Sequence, residues 1–192
     1  MDPKDVLLRY LRVGREALLW KLDGLSPYDA RRPMTPTGTN LLGLVKHTAS
    51  VEAGYLGAVF GRPFPDEPFP WLTEDSPANA DMWATPDEGI DDIVDLYERV
   101  AAHSEATVAA LPLDAPGRVP WWGDDGDVTL QQILVHVATE THRHAGHADI
   151  LRELIDGRTG MRAESLNLPD LDEAAWAAHV DLLERTARDA EH

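Results

Sequence analysis

Four stretches of the sequence repeat apolar residues at helical spacing, and each stretch carries its own start and stop signals. The longest begins at Thr129, which forms a capping box with Gln132, and continues without a proline to a stop at Gly157. No segment shows a convincing strand alternation of polar and apolar residues. The pattern therefore predicts an all-α protein built as a four-helix bundle.

The other three helices of the predicted bundle also have local start signals. Asp2 caps the first and Asn40 caps the second, and Thr85 and Glu88 form a capping box that opens the third. These helices are predicted over residues 2–24, 40–61 and 85–111.

An additional C-terminal helix is predicted after the bundle. Asp170 is its expected N-cap, with Glu173 three residues later, and we expect the helix to pack back on the bundle. At this length the chain is predicted to be a single domain, residues 1–192. Residues 1–157 form the bundle core, and residues 158–192 form a C-terminal extension that contains the helix.

Long loops separate the predicted helices. Residues 26–39 have room for only a short turn of helix, and the proline-rich residues 63–84 are expected to cross or lid the bundle. Residues 112–127 contain Trp121 and Trp122, whose adjacent indoles need an apolar wall to lie on. The sequence leaves open whether they pack over the bundle end or line a pocket.

The composition excludes several classes of function. The formal charge of -17, from 34 acidic and 17 basic residues, argues against a nucleic-acid partner. No apolar run is long enough for a membrane span, and the N-terminus lacks the features of a signal peptide, so we expect a cytoplasmic protein. With no cysteine, any metal must be held by His and carboxylate groups, and any thiol chemistry must use an outside thiol.

The fourth helix carries the densest chemistry. His136, Glu140 and His144 are spaced four residues apart and share one face, but one helix face cannot surround a metal ion. His47 on the second helix is the candidate for the third ligand. By spacing alone, a Glu/His pair is more often a solvated hydrogen-bonded pair, and a lone histidine is more often a core or surface residue.

Two observations favour the metal site over these alternatives. His47 lies in an otherwise apolar helix, where an imidazole needs a partner. An interior Glu140 would be costly unless a cation balanced its charge.

Two motifs resemble the DinB/YfiT-like superfamily: Asn40-Leu-Leu-Gly-Leu-Val-Lys-His47, and the string from Glu140-Thr-His-Arg-His144-Ala-Gly-His147 to Gly157. The resemblance covers roughly Met1 to Gly157. It implies a DinB-type four-helix bundle in which one histidine of the second helix and two ligands of the fourth hold a metal. Those positions here are His47, Glu140 and His144.

Glu140 departs from the commonest three-histidine pattern and is similar to the mycothiol-dependent maleylpyruvate isomerase branch, whose zinc site is His, Glu, His. His147 stands where the superfamily often has Gln, so we assign it a place beside the ligands. His147 or His136 is expected to shuttle a proton or orient a ligand. Trp121, Trp122 and Arg143 are expected to bind the cofactor and wall the pocket.

The resemblance and the GC-rich, actinobacterial character of the composition favour a zinc enzyme that transfers mycothiol to an electrophilic small molecule. Two neutral imidazoles and one carboxylate leave a tetrahedral ion an open position. Ni²⁺, Co²⁺, Mn²⁺ and Fe²⁺ accept the same ligands. The alternatives are a metal-dependent hydrolase that uses bound hydroxide and a stress-related metal- or small-molecule-binding protein without turnover. A homodimer is compatible with the family.

Overall fold

The structure, a computed structural model, describes residues 2–67 and 69–191. It confirms the all-α architecture, with four long helices, a short helix in the first loop and an additional C-terminal helix. The helices are α1 (Pro3–Leu19), α2 (Pro27–Arg31), α3 (Leu41–Leu56), α4 (Ile90–Ala110), α5 (Leu130–Asp156) and α6 (Glu173–Asp189). Turns of 3-10 helix cover Trp20–Leu22, Ala58–Phe60, Ala80–Met82 and Pro120–Gly126.

Side-chain caps begin three of the bundle helices at the predicted residues. The Asp2 carboxylate accepts a hydrogen bond from the Lys4 amide, and Asn40 Oδ1 accepts one from the Gly43 amide at 2.8 Å. Thr129 Oγ1 accepts from the Gln132 amide at the start of α5. These bonds satisfy backbone donors that the first helical turn leaves free.

The predicted start of the third bundle helix is wrong by one turn. Glu88 accepts a hydrogen bond from the Thr85 amide, as in a capping box, but this bond closes a separate turn. Glu88 also forms an ion pair with the buried Lys46 of α3 at 2.7 Å, which holds the turn against α3. Helix α4 begins after Gly89, whose amide donates to Asp92.

Two features outside the bundle helices also differ from expectation. A pair of three-residue antiparallel strands, β1 (Pro116–Arg118) and β2 (Asp127–Thr129), closes the loop before α5, and strands this short leave no alternation to detect. Helix α6 forms as predicted, but its N-cap is Asp172, two residues later than expected. No residue of α6 is buried and α6 makes no extensive contact with another described element, so the expected packing of this helix back on the bundle is wrong.

Helix α1 packs chiefly against α5, and the two run parallel. Gly14 lies against the His142 ring, and further along both helices Lys21 forms an ion pair with Asp149 at 2.7 Å. A Cβ atom at position 14 would lie 2.5 Å from His142 Nδ1, so any larger residue there would force the His142 ring to move.

Helix α4 runs antiparallel to α1, and α3 runs antiparallel to α5. Lys4 Nζ donates to the Leu111 carbonyl near one end of the α1–α4 pair, and Arg12 bonds Glu105 further along. The neighbouring helices α3 and α4 therefore run parallel. Parallel neighbours require a crossover, which the long segment of residues 57–89 supplies.

The C-terminal end of α5 is fixed by buried charges. Arg152 is 2% exposed, binds Asp156 on its own helix and donates to the Lys21 and Asp23 carbonyls after α1. Gly157 then ends the helix in a left-handed conformation. Within the part of the chain that the structure describes, no helix is both long and apolar enough to cross a bilayer.

Candidate functional site

The two helices that carry the predicted ligands face each other in a regular antiparallel register. The rings of His47 on α3 and His144 on α5 have centroids 4.9 Å apart, and those of Tyr55 and His136 have centroids 4.7 Å apart. From His47 to Tyr55 the chain advances eight residues along α3, and the facing residues of α5 go back eight, from His144 to His136. Glu140, halfway between the two histidines of α5, lies at the level of Val51.

The three predicted ligands line the same cavity, and two pairwise distances describe their arrangement. His144 Nε2 lies 3.7 Å from Glu140 Oε2, compared with about 3.3 Å for two ligand atoms that share a tetrahedral zinc ion. The His47 ring lies edge-on to the His144 ring. Within residues 2–67 and 69–191, no group of three or more His, Cys, Asp and Glu side chains is already arranged as a metal site.

Two atoms of this trio, Glu140 Oε2 and His144 Nδ1, are buried and find no hydrogen-bond partner among the described residues. Arg143 Nη1 is 3.6 Å from Glu140 Oε2, too far for a hydrogen bond. A buried carboxylate oxygen without a donor is costly unless a cation lies beside it. The donor set and its unpartnered atoms therefore fit a divalent metal ion.

His144 is held in the neutral form that a metal ligand requires. Burial, followed by the nearby His47, lowers the pKa of His144 to about 4. A neutral imidazole has a lone pair free for coordination at physiological pH.

Asp81, which the sequence analysis did not identify, orients His47. Asp81 belongs to the crossover segment, and its Oδ2 lies 2.6 Å from His47 Nδ1. This hydrogen bond holds the pKa of Asp81 below its usual value. The bond leaves His47 Nε2 as the nitrogen available to bind a metal ion. Metal-binding histidines commonly have such a carboxylate on their other ring nitrogen. No periodic or spacing signal marks Asp81, because its position depends on the path of the crossover.

A cavity of about 810 Å³ is lined by the trio and by a mixture of polar and apolar side chains. Thr37, Asn79 and Arg143 contribute polar groups to its wall. His147 is exposed at this cavity, and its ring centroid lies 5.4 Å from that of His144.

The other predicted site residues lie further along the α3–α5 interface. Trp121, Trp122 and His136 surround Tyr55, and the Trp122 and His136 ring centroids are 5.0 Å apart. None of these four residues lines the cavity around His47. The structure thus separates the predicted residues into the histidine–carboxylate trio at one level of the interface and an aromatic group at another.

The fold resembles the crystal structure of a conserved protein from Enterococcus faecalis. That structure has a TM-score of 0.60 and 19% sequence identity, over 82% of this chain and 99% of the other. At this identity the similarity supports the fold alone. A comparison with curated proteins finds no significant match.

A family model described as mycothiol-S-transferase matches residues 6–157. The matched range runs from α1 to the end of α5 and includes the site residues of both α3 and α5. The chain therefore belongs to the mycothiol-S-transferase family, which is a DinB-like family.

Proposed function

We propose that the protein transfers mycothiol to an electrophilic small molecule at a divalent metal ion held by His47, Glu140 and His144. What supports the proposal is that all three side chains line one cavity, where Glu140 Oε2 is buried and has no hydrogen-bond partner among the described residues. Membership of the mycothiol-S-transferase family supports mycothiol as the thiol.

Zinc suits the proposed ligands, because two imidazoles and one carboxylate are typical of catalytic zinc and leave one coordination position open. When bound, such an ion would lower the pKa of a coordinating thiol and so supply a thiolate nucleophile. Elemental analysis of untagged protein would identify the metal among zinc, nickel, cobalt, manganese and iron.

The protein's own residues have separate tasks in this proposal. Asp81 keeps His47 Nε2 facing the site through its bond to Nδ1. His147, exposed beside His144, accepts the thiol proton. The sulfur then forms a bond to the electrophilic carbon, and the leaving group departs with the bonding electron pair. Arg143 and Asn79 on the cavity wall offer donors to a polar thiol.

The test is to incubate zinc-loaded protein with mycothiol and 1-chloro-2,4-dinitrobenzene and to detect the S-aryl conjugate by mass spectrometry. We expect conjugate formation well above the uncatalysed rate, and a His47→Ala variant should fall to that rate.

The same assay separates the alternative functions. Product release that does not depend on added thiol would indicate a hydrolase. The absence of turnover with every thiol and electrophile, despite bound metal, would indicate a binding protein without catalysis. Either result would remove the transferase proposal.

A further inference from the structure

At the α3–α5 interface, Tyr55, Trp121, Trp122 and His136 form one group of contacting rings, here called the aromatic cluster. The Trp121 and Trp122 indole N–H groups both donate to the Tyr55 hydroxyl oxygen, each at 3.1 Å. The Tyr55 ring lies 5.3 Å from the Trp121 ring and 4.7 Å from the His136 ring.

Packing over the bundle end explains only part of this cluster. Trp122 is half-buried and packs against the core of the bundle, whereas Trp121 contacts Tyr55 but remains 60% exposed. The hydrogen bond to Tyr55 fixes the Trp121 ring over Gly54 of α3, where a Cβ atom would lie 3.8 Å from Trp121 Cη2. An indole that is oriented but largely uncovered offers a stacking surface.

The aromatic cluster continues directly from the proposed metal site. His136, Glu140 and His144 lie on one face of α5, so the cluster begins one helical turn, about 5.4 Å, from Glu140. A ligand that spans one turn therefore reaches from Trp121 to the level of Glu140.

Tyr55 adds a polar group to this surface. Its hydroxyl oxygen accepts two hydrogen bonds, while the residues that the structure describes give the hydroxyl proton no acceptor. A phenol in this state donates to an oxygen on a ligand.

We propose that the aromatic cluster binds the electrophilic co-substrate, and that this co-substrate is a planar conjugated ring bearing a carbonyl or nitro oxygen. The ring stacks on Trp121, and the oxygen accepts a hydrogen bond from Tyr55. This inference rests on the proposed function, because the reacting carbon must face the thiol near Glu140.

The binding test uses 2-acetylnaphthalene, a planar ketone that has no leaving group, and isothermal titration calorimetry on the full-length, zinc-loaded protein. We expect Trp121→Ala to weaken binding about tenfold, since it removes an aromatic stacking contact together with the apolar area that the contact buries. Trp121→Phe should retain most of the affinity. Trp176→Ala on α6 is the matched control and should bind like the wild type.

Equal affinity in wild type and Trp121→Ala would overturn the assignment, as would equal weakening by Trp176→Ala. Circular dichroism of each variant verifies that it is folded, and the exposure of Trp121 favours that outcome.

Kinetics separate this inference from the proposed function. Trp121→Ala should raise the KM for 1-chloro-2,4-dinitrobenzene about tenfold and leave the KM for mycothiol unchanged. His47→Ala should lose conjugation but still bind 2-acetylnaphthalene. If the ketone binds through Trp121 and no conjugate forms, the proposed function fails and the aromatic site stands. If conjugation proceeds and Trp121→Ala changes neither KM nor affinity, the aromatic site is wrong and the function stands.

Discussion

At the scale of single residues, Asp81 links an irregular segment to the chemistry of α3. Its bond to His47 Nδ1 is the only side-chain hydrogen bond that the described residues give to that ring. A histidine without such a partner can rotate and can expose either nitrogen, so it loses part of its value as a ligand.

We therefore expect Asp81→Ala to weaken zinc binding about 10- to 100-fold, which is typical for loss of a carboxylate behind a histidine ligand. Competition against a fluorescent zinc chelator would measure the change. Asp75→Ala, an exposed carboxylate of the same segment, is the control and should leave the affinity unaltered. Wild-type affinity in Asp81→Ala would show that His47 needs no such support or binds no metal.

The site residues differ in how far the sequence alone could predict them. Helical spacing was enough to place Glu140 and His144 on one face, and an imidazole in an apolar helix was enough to single out His47. The role of all three as ligands stays a prediction. The role of Asp81 could not be predicted, because its contact with His47 depends on the path of a 33-residue crossover that follows no periodic pattern.

At the scale of elements, the close approach of α1 and α5 depends on one glycine. Gly14 faces the His142 ring and the Thr141 methyl group, while Gly146 on the outer side of α5 faces open space. Substitutions at these two glycines therefore distinguish the effect of packing on stability from the effect of helix propensity.

Gly14→Leu should lower the free energy of unfolding by about 1–3 kcal/mol, because the new side chain must displace His142 and separate the helices. Gly146→Leu should raise it by about 0.5–1 kcal/mol, because the helix gains propensity and meets no obstacle. Urea denaturation followed by circular dichroism would measure both. A stabilised Gly14→Leu variant would contradict the packing described here.

The start of a helix was predicted correctly where a local side-chain cap determines it. The prediction was wrong where a tertiary contact competes with that cap. Asn40 and Thr129 cap their helices through bonds within three residues, so the sequence was sufficient. The Thr85–Glu88 pair satisfied the same pattern, but the ion pair of Glu88 with Lys46 holds it in a turn. The C-terminal helix was predicted from an Asp–Glu start signal whose N-cap was placed two residues too early, whereas its lack of burial is a tertiary property.

At the scale of the whole molecule, several carboxylates of this acidic protein depend on arginine partners. Hydrogen bonding from Arg12, with Arg15 nearby, holds the pKa of Glu105 below its usual 4.5. Hydrogen bonding from Arg152 lowers the pKa of Asp156 below 3.8. A carboxyl group with a lower pKa in the folded state adds stability above its unfolded pKa, and this stability is lost as the pH falls through the folded value.

We expect the free energy of unfolding to fall as the pH is lowered from about 5 toward 3, and Glu105→Gln should fall less steeply than the wild type. Urea midpoints at several pH values would reveal the difference in slope. Glu184→Gln, which removes an exposed ion pair with Arg188 on α6, should retain the wild-type slope. Identical slopes in wild type and Glu105→Gln would show that Glu105 carries no acid-linked stability.

The parallel packing of α1 on α5 also sets a constraint on biosynthesis. Lys21 and its partner Asp149 are 128 residues apart, so α1 meets its main neighbour only after the other bundle helices have been translated. At elongation rates of about 5 to 20 residues per second this delay is roughly 6 to 25 s. During that time the part of α1 that packs on α5 has no native surface to cover it, and the bundle closes as a late event.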